Sequence, residues 1–154
     1  KFLIEYPDIE FLNSIKTCRR IPITQAYLTT PEEGYFRIRK RGEGDKAVYI
    51  KTVKIKISDI KRIEIENYIS KEQYDSYLAQ RQYVTGVISK DRYCIVDNNT
   101  YYELDVYPFW NDRATIEIEL LSEDQLPKFV KLIREVSSEP DYRNLALAQK
   151  YGKP

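Results

Sequence analysis

Acidic and basic side chains recur at every second residue in several stretches of this 154-residue chain. Within these stretches, two carboxylates stand two positions apart three times, and three arginines share one stretch: Glu64 and Glu66, Glu103 and Asp105, Glu117 and Glu119, and Arg37, Arg39 and Arg41. Same-face neighbours on a strand lie about 7 Å apart, so like charges repel unless a counter-ion or ligand lies between them. Arginine forks suit phosphate oxygens and paired carboxylates suit hard cations, so the pattern allows metal-assisted phosphate chemistry.

The composition excludes several other kinds of chemistry. The chain has no histidine, which removes Ser-His and Cys-His catalysis and histidine metal ligands. A bound metal would therefore have oxygen ligands, and magnesium or manganese would be the expected ion. Lys plus Arg is 25 and Asp plus Glu is 24, so no global field selects DNA or an anionic membrane as partner. The two cysteines, Cys18 and Cys94, predict reduced thiols in a cytoplasmic protein without a membrane span.

Period-2 alternation dominates the chain and predicts about eight antiparallel strands. They cover residues 1–4, 20–29, 35–41, 52–57, 62–67, 90–95, 101–107 and 114–119. Helices are predicted after Asp8, after the capping box that begins at Ser70, and over 141–149. A further helix is predicted after Ser122, with Phe129, Leu132, Ile133 and Val136 at helical spacing. The predicted class is α+β, with an antiparallel barrel or curved sheet.

Alternation alone leaves open which face of the sheet is the inside. An antiparallel sheet with one wet face alternates in the same way, and its charges then simply face water. In the inverted arrangement, the charges line an interior channel and the apolar side chains lie outside, under the helices. Such a channel needs water, divalent cations and a polyanion, because buried charges require partners.

Eight short pieces carry a resemblance to a known family. In chain order they are Lys1–Ile4, Gln25–Leu28, Phe36–Arg39, Thr52–Lys54, Arg62–Glu66, Lys90–Tyr93, Glu103–Val106 and Ile116–Glu119. Over nearly its whole length the chain resembles a CYTH domain of the triphosphate tunnel metalloenzyme superfamily. The tail from Pro127 to Ala148 is similar to a bacterial subgroup in which a P-loop ATPase domain precedes the CYTH domain.

The resemblance implies one domain over residues 1–154, built as an eight-stranded antiparallel β-barrel with a charged interior and short flanking helices. Its tunnel binds triphosphate-bearing molecules with Mg²⁺ or Mn²⁺. The implied phosphate-binding residues are Arg37, Arg39, Lys54, Lys90 and Arg92, and the implied metal ligands are Glu117, Glu119 and Asp105. Lys1 matches the lysine that ends the family's Glu-x-Glu-x-Lys signature, and Glu64 is the expected base; we treat both as catalytic. The two glutamates of the signature would precede Lys1, so the domain is expected to be truncated at its N-terminus.

The expected function is hydrolysis of a small-molecule or nucleotide triphosphate by attack of water on the terminal phosphoryl group. Two alternatives stay open. The same tunnel could sense nucleotide or polyphosphate without hydrolysis and regulate a linked ATPase domain, or it could act as an adenylate cyclase.

Overall fold

The computed structural model describes residues 1–118 and 126–152. Its contacts divide the chain into two compact units. Unit 1 comprises Lys1–Pro22 and Lys90–Tyr142, and unit 2 comprises Ile23–Ser89 and Arg143–Pro154. The second and sixth strands each contribute residues to both units.

The described residues form nine strands and three α-helices. The strands are β1 (Phe2–Glu5), β2 (Arg19–Thr30), β3 (Gly34–Arg41), β4 (Val48–Lys56), β5 (Arg62–Ile69), β6 (Val84–Asp97), β7 (Thr100–Val106), β8 (Arg113–Ile118) and β9 (Leu132–Glu135). The helices are α1 (Ile9–Ser14), α2 (Lys71–Ala79) and α3 (Asn144–Tyr151). The strands belong to one sheet of order β5-β4-β3-β2-β6-β7-β8-β1-β9. Among these helices, none is long and apolar enough to cross a membrane.

All eight predicted strands are present, but the predicted closed barrel is wrong. The strand order ends at β5 and at β9, so the sheet of described residues is not closed. Alternation identifies a strand and its two faces, whereas closure depends on a long-range pairing that gives no local pattern.

The ninth strand corrects a second prediction. Residues 132–135 form β9 instead of a helix, and Leu3 pairs with Arg134 in the antiparallel register of β1 and β9. The free edge of β1 presents unpaired backbone groups, and β9 satisfies them. Leu132 and Phe129 still pack on the core without a helix and Val136 is buried, whereas Ile133 is 48% exposed. The capping box predicted at Ser122 lies outside the described residues.

In unit 1, the apolar side chains of β1, β6, β7 and β8 form one core. Its buried members include Ile4, Ile95, Leu104 and Ile116. Helix α1 covers this core with Leu12, which is fully buried. The helix begins as predicted, because the Asp8 carboxylate caps it by accepting from the Phe11 N–H at 3.2 Å.

In unit 2, helix α2 covers the apolar face of β2, β3 and β4. Leu28, Phe36 and Ile38 are buried there against Tyr74 of the helix. The predicted capping box is present: Ser70 Oγ accepts from Gln73 N at 3.1 Å, and Gln73 Oε1 accepts from Ser70 N at 2.9 Å. In both units, therefore, the apolar face lies under helices and the charged face lies on the opposite side of the strands.

Within unit 2, Gly86 of β6 allows helix α3 to pack closely against this strand. A Cβ atom at this position would lie 2.8 Å from the carbonyl carbon of Ala148, whose residue is buried in α3. Backbone atoms cannot yield as a flexible side chain does, so the contact requires glycine.

We expect Gly86→Ala to destabilise the protein by about 1–3 kcal/mol, because α3 must move away from β6. Urea unfolding followed by circular dichroism measures this change. Ser89→Ala, at an exposed position of the same strand, should cost less than about 1 kcal/mol. Equal effects of the two substitutions would contradict the role given to Gly86.

Candidate functional site

The face of unit 2 opposite α2 carries most of its predicted site residues. The strand registers place Tyr27 beside Arg37, Arg37 beside Thr52, and Thr52 beside Glu66. On one side of this row, Gln25 lies beside Arg39, and on the other side Lys54 lies beside Glu64. Directly paired residues share a face, so these side chains form one surface. We call it the basic face and define it by Gln25, Tyr27, Arg37, Arg39, Thr52, Lys54, Glu64 and Glu66.

Arg37 lies at the centre of the basic face and is mostly buried. Its side chain is 16% exposed and its Nη2 donates to Thr52 Oγ1 at 3.1 Å. The nearest carboxylate oxygen, Glu66 Oε1, is 3.6 Å away, which is too long for a strong ion pair. The buried Nε has no hydrogen-bond acceptor among the described residues. An unsatisfied guanidinium N–H is costly, and an anion is the group that would satisfy it.

Two neutral residues of β2 complete this face. Gln25 is fully buried, and its Oε1 accepts from Arg39 Nε at 3.0 Å while its Nε2 donates to Tyr27 Oη at 2.9 Å. Burial raises the pKa of Tyr27, although Arg37 and Arg39 oppose the change, so the hydroxyl stays protonated at neutral pH. Two positions apart on one strand, Gln25 and Tyr27 share a face, but the sequence does not indicate which side of the sheet this is. Their pairing with Arg39 and Arg37 assigns it to the charged side.

Lys54 and Glu64 lie at a more exposed part of the basic face. Both side chains are 53% exposed, and Lys54 Nζ is 3.5 Å from Glu64 Oε1. A pair this exposed contributes little to stability. Both groups are therefore accessible to a ligand.

On the corresponding face of unit 1, buried side chains form an ion-pair network of Lys90, Arg92, Glu103 and Asp105. Lys90 Nζ donates to Asp105 Oδ2 at 2.7 Å. Arg92 donates to Asp105 through Nε at 2.9 Å and through Nη2 at 3.1 Å, and to Glu103 through Nη1 at 2.8 Å. The side chains of Lys90 and Asp105 are 0% and 4% exposed. These charges do not face water, so the simple wet-face alternative fails for them.

The network shifts the pKa values of Asp105 and Arg92. Burial would raise the pKa of Asp105, but Lys90 and Arg92 outweigh it and lower that pKa below its ordinary value. Burial opposes the charge of Arg92, yet Asp105 and Glu103 raise its pKa overall. Tyr107, fully buried beside the network, has a pKa raised well above its ordinary value by burial and by Asp105. Asp105 and Arg92 are thus charged while Tyr107 is neutral.

Lys1 and Glu117 form a second pair on this face of unit 1. Lys1 Nζ lies 3.5 Å from Glu117 Oε1 and donates to the carbonyl oxygen of Tyr142 at 3.0 Å. Glu117 is 44% exposed and stands directly opposite Glu103 in the register of β7 and β8. Glu119, the other acidic residue predicted on this strand, lies outside the described residues.

The donor set fits a hard divalent cation in its chemistry. Glu103 and Glu117 supply carboxylate oxygens from neighbouring strands, and Mg²⁺ is commonly held by one or two carboxylates together with substrate phosphates and water. Residues 1–118 and 126–152 contain no group of three or more acidic, cysteine or histidine side chains placed to hold a metal. Asp105, predicted as a ligand, has both oxygens occupied by Lys90 and Arg92.

Comparison with known proteins adds to this geometry. The family model for the CYTH domain matches residues 1–151. The chain belongs to the CYTH domain family. No curated protein matches the domain significantly.

Two solved structures resemble this CYTH domain. The crystal structure of the inorganic triphosphatase NE1496 is 26% identical, covers 99% of this chain and 93% of its own, and superimposes with a TM-score of 0.62. A second structure, titled the hypothetical protein NE1496, is 25% identical, covers 99% of this chain and 96% of its own, and has a TM-score of 0.61. Neither bears on the P-loop ATPase domain expected upstream, which stays a prediction.

We expect Asp105→Asn to destabilise this CYTH domain by about 3–5 kcal/mol, because it leaves two buried cations with one carboxylate fewer. Chemical denaturation at neutral pH measures the change. Asp112→Asn breaks an exposed pair with Arg113 and should cost about 0–1 kcal/mol. A loss at Asp105 no larger than that at Asp112 would show that the network is not a stabilising element.

Proposed function

We propose that this CYTH domain is a divalent-metal-dependent phosphohydrolase acting on triphosphate-bearing substrates. The observation that carries the proposal is the surplus of donors on the basic face. Arg37 donates to the neutral hydroxyl of Thr52, its nearest carboxylate oxygen is 3.6 Å away, and its buried Nε has no acceptor in the described structure. A guanidinium with an unsatisfied buried N–H fits a phosphate oxygen. The likeness to the inorganic triphosphatase NE1496 supports the choice of triphosphate.

Three cations of the basic face hold the substrate in this proposal: Arg37, Arg39 and Lys54. In unit 1, Asp105 and Glu103 keep the predicted phosphate-binding residues Lys90 and Arg92 oriented. Preformed donors of this kind stabilise charge that develops on phosphoryl oxygens without reorganising during the reaction. Asp105 then acts mainly by holding these two cations, and any contact with metal would require it to release one of them.

Glu117 and Glu119 are the proposed metal ligands, and Glu103 faces Glu117 closely enough to assist. Asp105 stays a candidate metal ligand, provided that it releases Lys90 or Arg92. Bound Mg²⁺ or Mn²⁺ would neutralise charge on the phosphate chain and on the leaving oxygen. Lys1, which lies beside Glu117, balances the charge of that carboxylate and helps to fix its position.

The reaction is transfer of the terminal phosphoryl group to water. The water oxygen forms a bond to the terminal phosphorus, the bridging P–O bond breaks, and the shortened phosphate chain leaves with the bridging oxygen. Glu64, exposed on the basic face, is the proposed acceptor of the water proton. Positioning and charge neutralisation contribute most of the catalysis, because phosphoryl transfer needs little covalent help.

One observation favours a second candidate, a module that binds polyphosphate or nucleotide without hydrolysis. The carboxylates Glu103 and Asp105 are occupied by internal cations, whereas Glu117 is substantially exposed. A site with few available carboxylates could bind phosphate yet hold metal too weakly for turnover.

Hydrolysis distinguishes the two candidates. We expect the protein to release phosphate from tripolyphosphate in the presence of Mg²⁺ or Mn²⁺, and Glu117→Gln to lower kcat at least about tenfold by weakening metal binding. Glu135→Gln, at an exposed position of β9, serves as the matched control and should retain activity. Tight tripolyphosphate binding without turnover under either metal would favour the binding module.

Arg39→Gln should weaken tripolyphosphate binding roughly tenfold to a hundredfold, because charged hydrogen bonds contribute about 1.5–3 kcal/mol. Isothermal titration calorimetry without metal isolates this effect from catalysis. Arg81→Gln removes an exposed arginine outside the basic face and should leave the Kd unchanged. Equal loss in both variants would mean that general charge, not the basic face, binds the ligand.

A further inference from the structure

Gln25 occupies an unusual place for an amide. It is 0% exposed, lies on the face that carries the arginines, and uses both ends of its side chain on neighbouring side chains. A buried amide that served only packing could be replaced by an apolar residue at little cost if its partners were replaced with it. Here the partners are a guanidinium and a phenol of the basic face, so the amide determines how those two groups are presented.

The orientation of the amide follows from the chemistry of its partners. Arginine Nε carries a hydrogen and can only donate, so the Gln25 atom 3.0 Å from it must be the carbonyl oxygen. The NH₂ group is then the end that lies 2.9 Å from Tyr27 Oη, and it can only donate. Amide oxygen and nitrogen are usually hard to distinguish, but the donor-only arginine removes that ambiguity.

This orientation also determines the direction of the Tyr27 hydroxyl. Its oxygen accepts from Gln25, and Arg37, which stands directly opposite Tyr27 in the register, is also donor-only. The phenol proton can therefore point at neither neighbour and must be donated elsewhere. Tyr27, which is 6% exposed, thus presents an O–H donor from the same surface as Arg37 and Arg39.

We propose that Gln25 is a positioning residue that makes this part of the basic face donate only, and so selects a ligand rich in acceptors and poor in protons, a fully ionised oligophosphate. The inference rests on the proposed function and adds the feature that selects the charge state of the ligand. Gln25 acts through Arg39, whose guanidinium it orients at Nε, and through Tyr27, whose proton it directs outward.

Two substitutions separate these two actions. Gln25→Glu keeps an oxygen for Arg39 Nε, but its second oxygen accepts the Tyr27 proton and withdraws it from the ligand. Gln25→Leu removes both interactions. Tyr27→Phe removes the hydroxyl and leaves the Gln25 carbonyl bonded to Arg39. The double variant Gln25→Glu with Tyr27→Phe closes a thermodynamic cycle, which also cancels the effect of the added charge.

The experiment measures the Kd of tripolyphosphate by calorimetry, kcat and KM with Mg²⁺, and the Nε–Hε resonance of Arg39 by NMR. We expect Gln25→Glu to weaken tripolyphosphate binding at least threefold more in the natural background than when Tyr27 is already phenylalanine. The change should appear mainly in Kd and KM. The Arg39 resonance should persist in Gln25→Glu and shift or exchange rapidly in Gln25→Leu.

If Gln25→Glu raised the Kd of tripolyphosphate by the same factor with and without the Tyr27 hydroxyl, the action through Tyr27 would be overturned. An unchanged Arg39 resonance in Gln25→Leu, in a variant whose circular dichroism shows it folded, would overturn the action through Arg39. Failure of the natural chain to bind tripolyphosphate would overturn the proposed function and the ligand selection together. The NMR comparison would still decide separately whether Gln25 holds Arg39.

Discussion

The buried carboxylate of Asp105 between Lys90 and Arg92 is the interaction on which the charged face of unit 1 depends. Two cations cannot be taken out of water without a nearby anion, and Asp105 supplies three of the hydrogen bonds that keep them there. The arrangement holds the lysine and the arginine in fixed positions. Glu103 then balances the remaining positive charge, so the network is neutral as a whole.

In unit 2, the arginines of the charged face have different hydrogen-bond acceptors. Arg37 donates to the hydroxyl of Thr52 and Arg39 donates to the amide oxygen of Gln25, so neutral acceptors help to fix both guanidinium groups. The consequence is a surface with positive charge and one unsatisfied buried N–H. Such a surface is less favourable alone than a fully paired one, and it gains the most from an anionic ligand. This contrast supports giving substrate binding to the basic face and a supporting role to the network.

The secondary-structure predictions that the structure confirms are those that rest on local sequence patterns. Asp8 and Ser70 both cap helices as their sequence positions indicated, and the eight alternating stretches are strands. Residues 132–135 show the limit of such reasoning. Leu132 and its neighbours have helical spacing, yet they form a strand because the edge of β1 offers backbone partners that no local pattern reveals. Membership of the CYTH family agrees with the resemblance carried by the eight short pieces.

For the candidate site, the sequence by itself determined the chemical types and their grouping by strand: arginines on β3, acid pairs on β5 and β7, Glu117 on β8, and no histidine at all. Alternation puts such groups on a common face because successive side chains of a strand point to opposite sides. The tertiary structure alone decided which charges neutralise one another. Asp105 was predicted to be a metal ligand, but the register of β6 and β7 places it opposite Arg92. The role of Gln25 is likewise visible only from the pairing of β2 with β3, which places it opposite Arg39. Register depends on contacts between residues distant in the chain, and for that reason it could not be derived from the spacing of residues within any one strand.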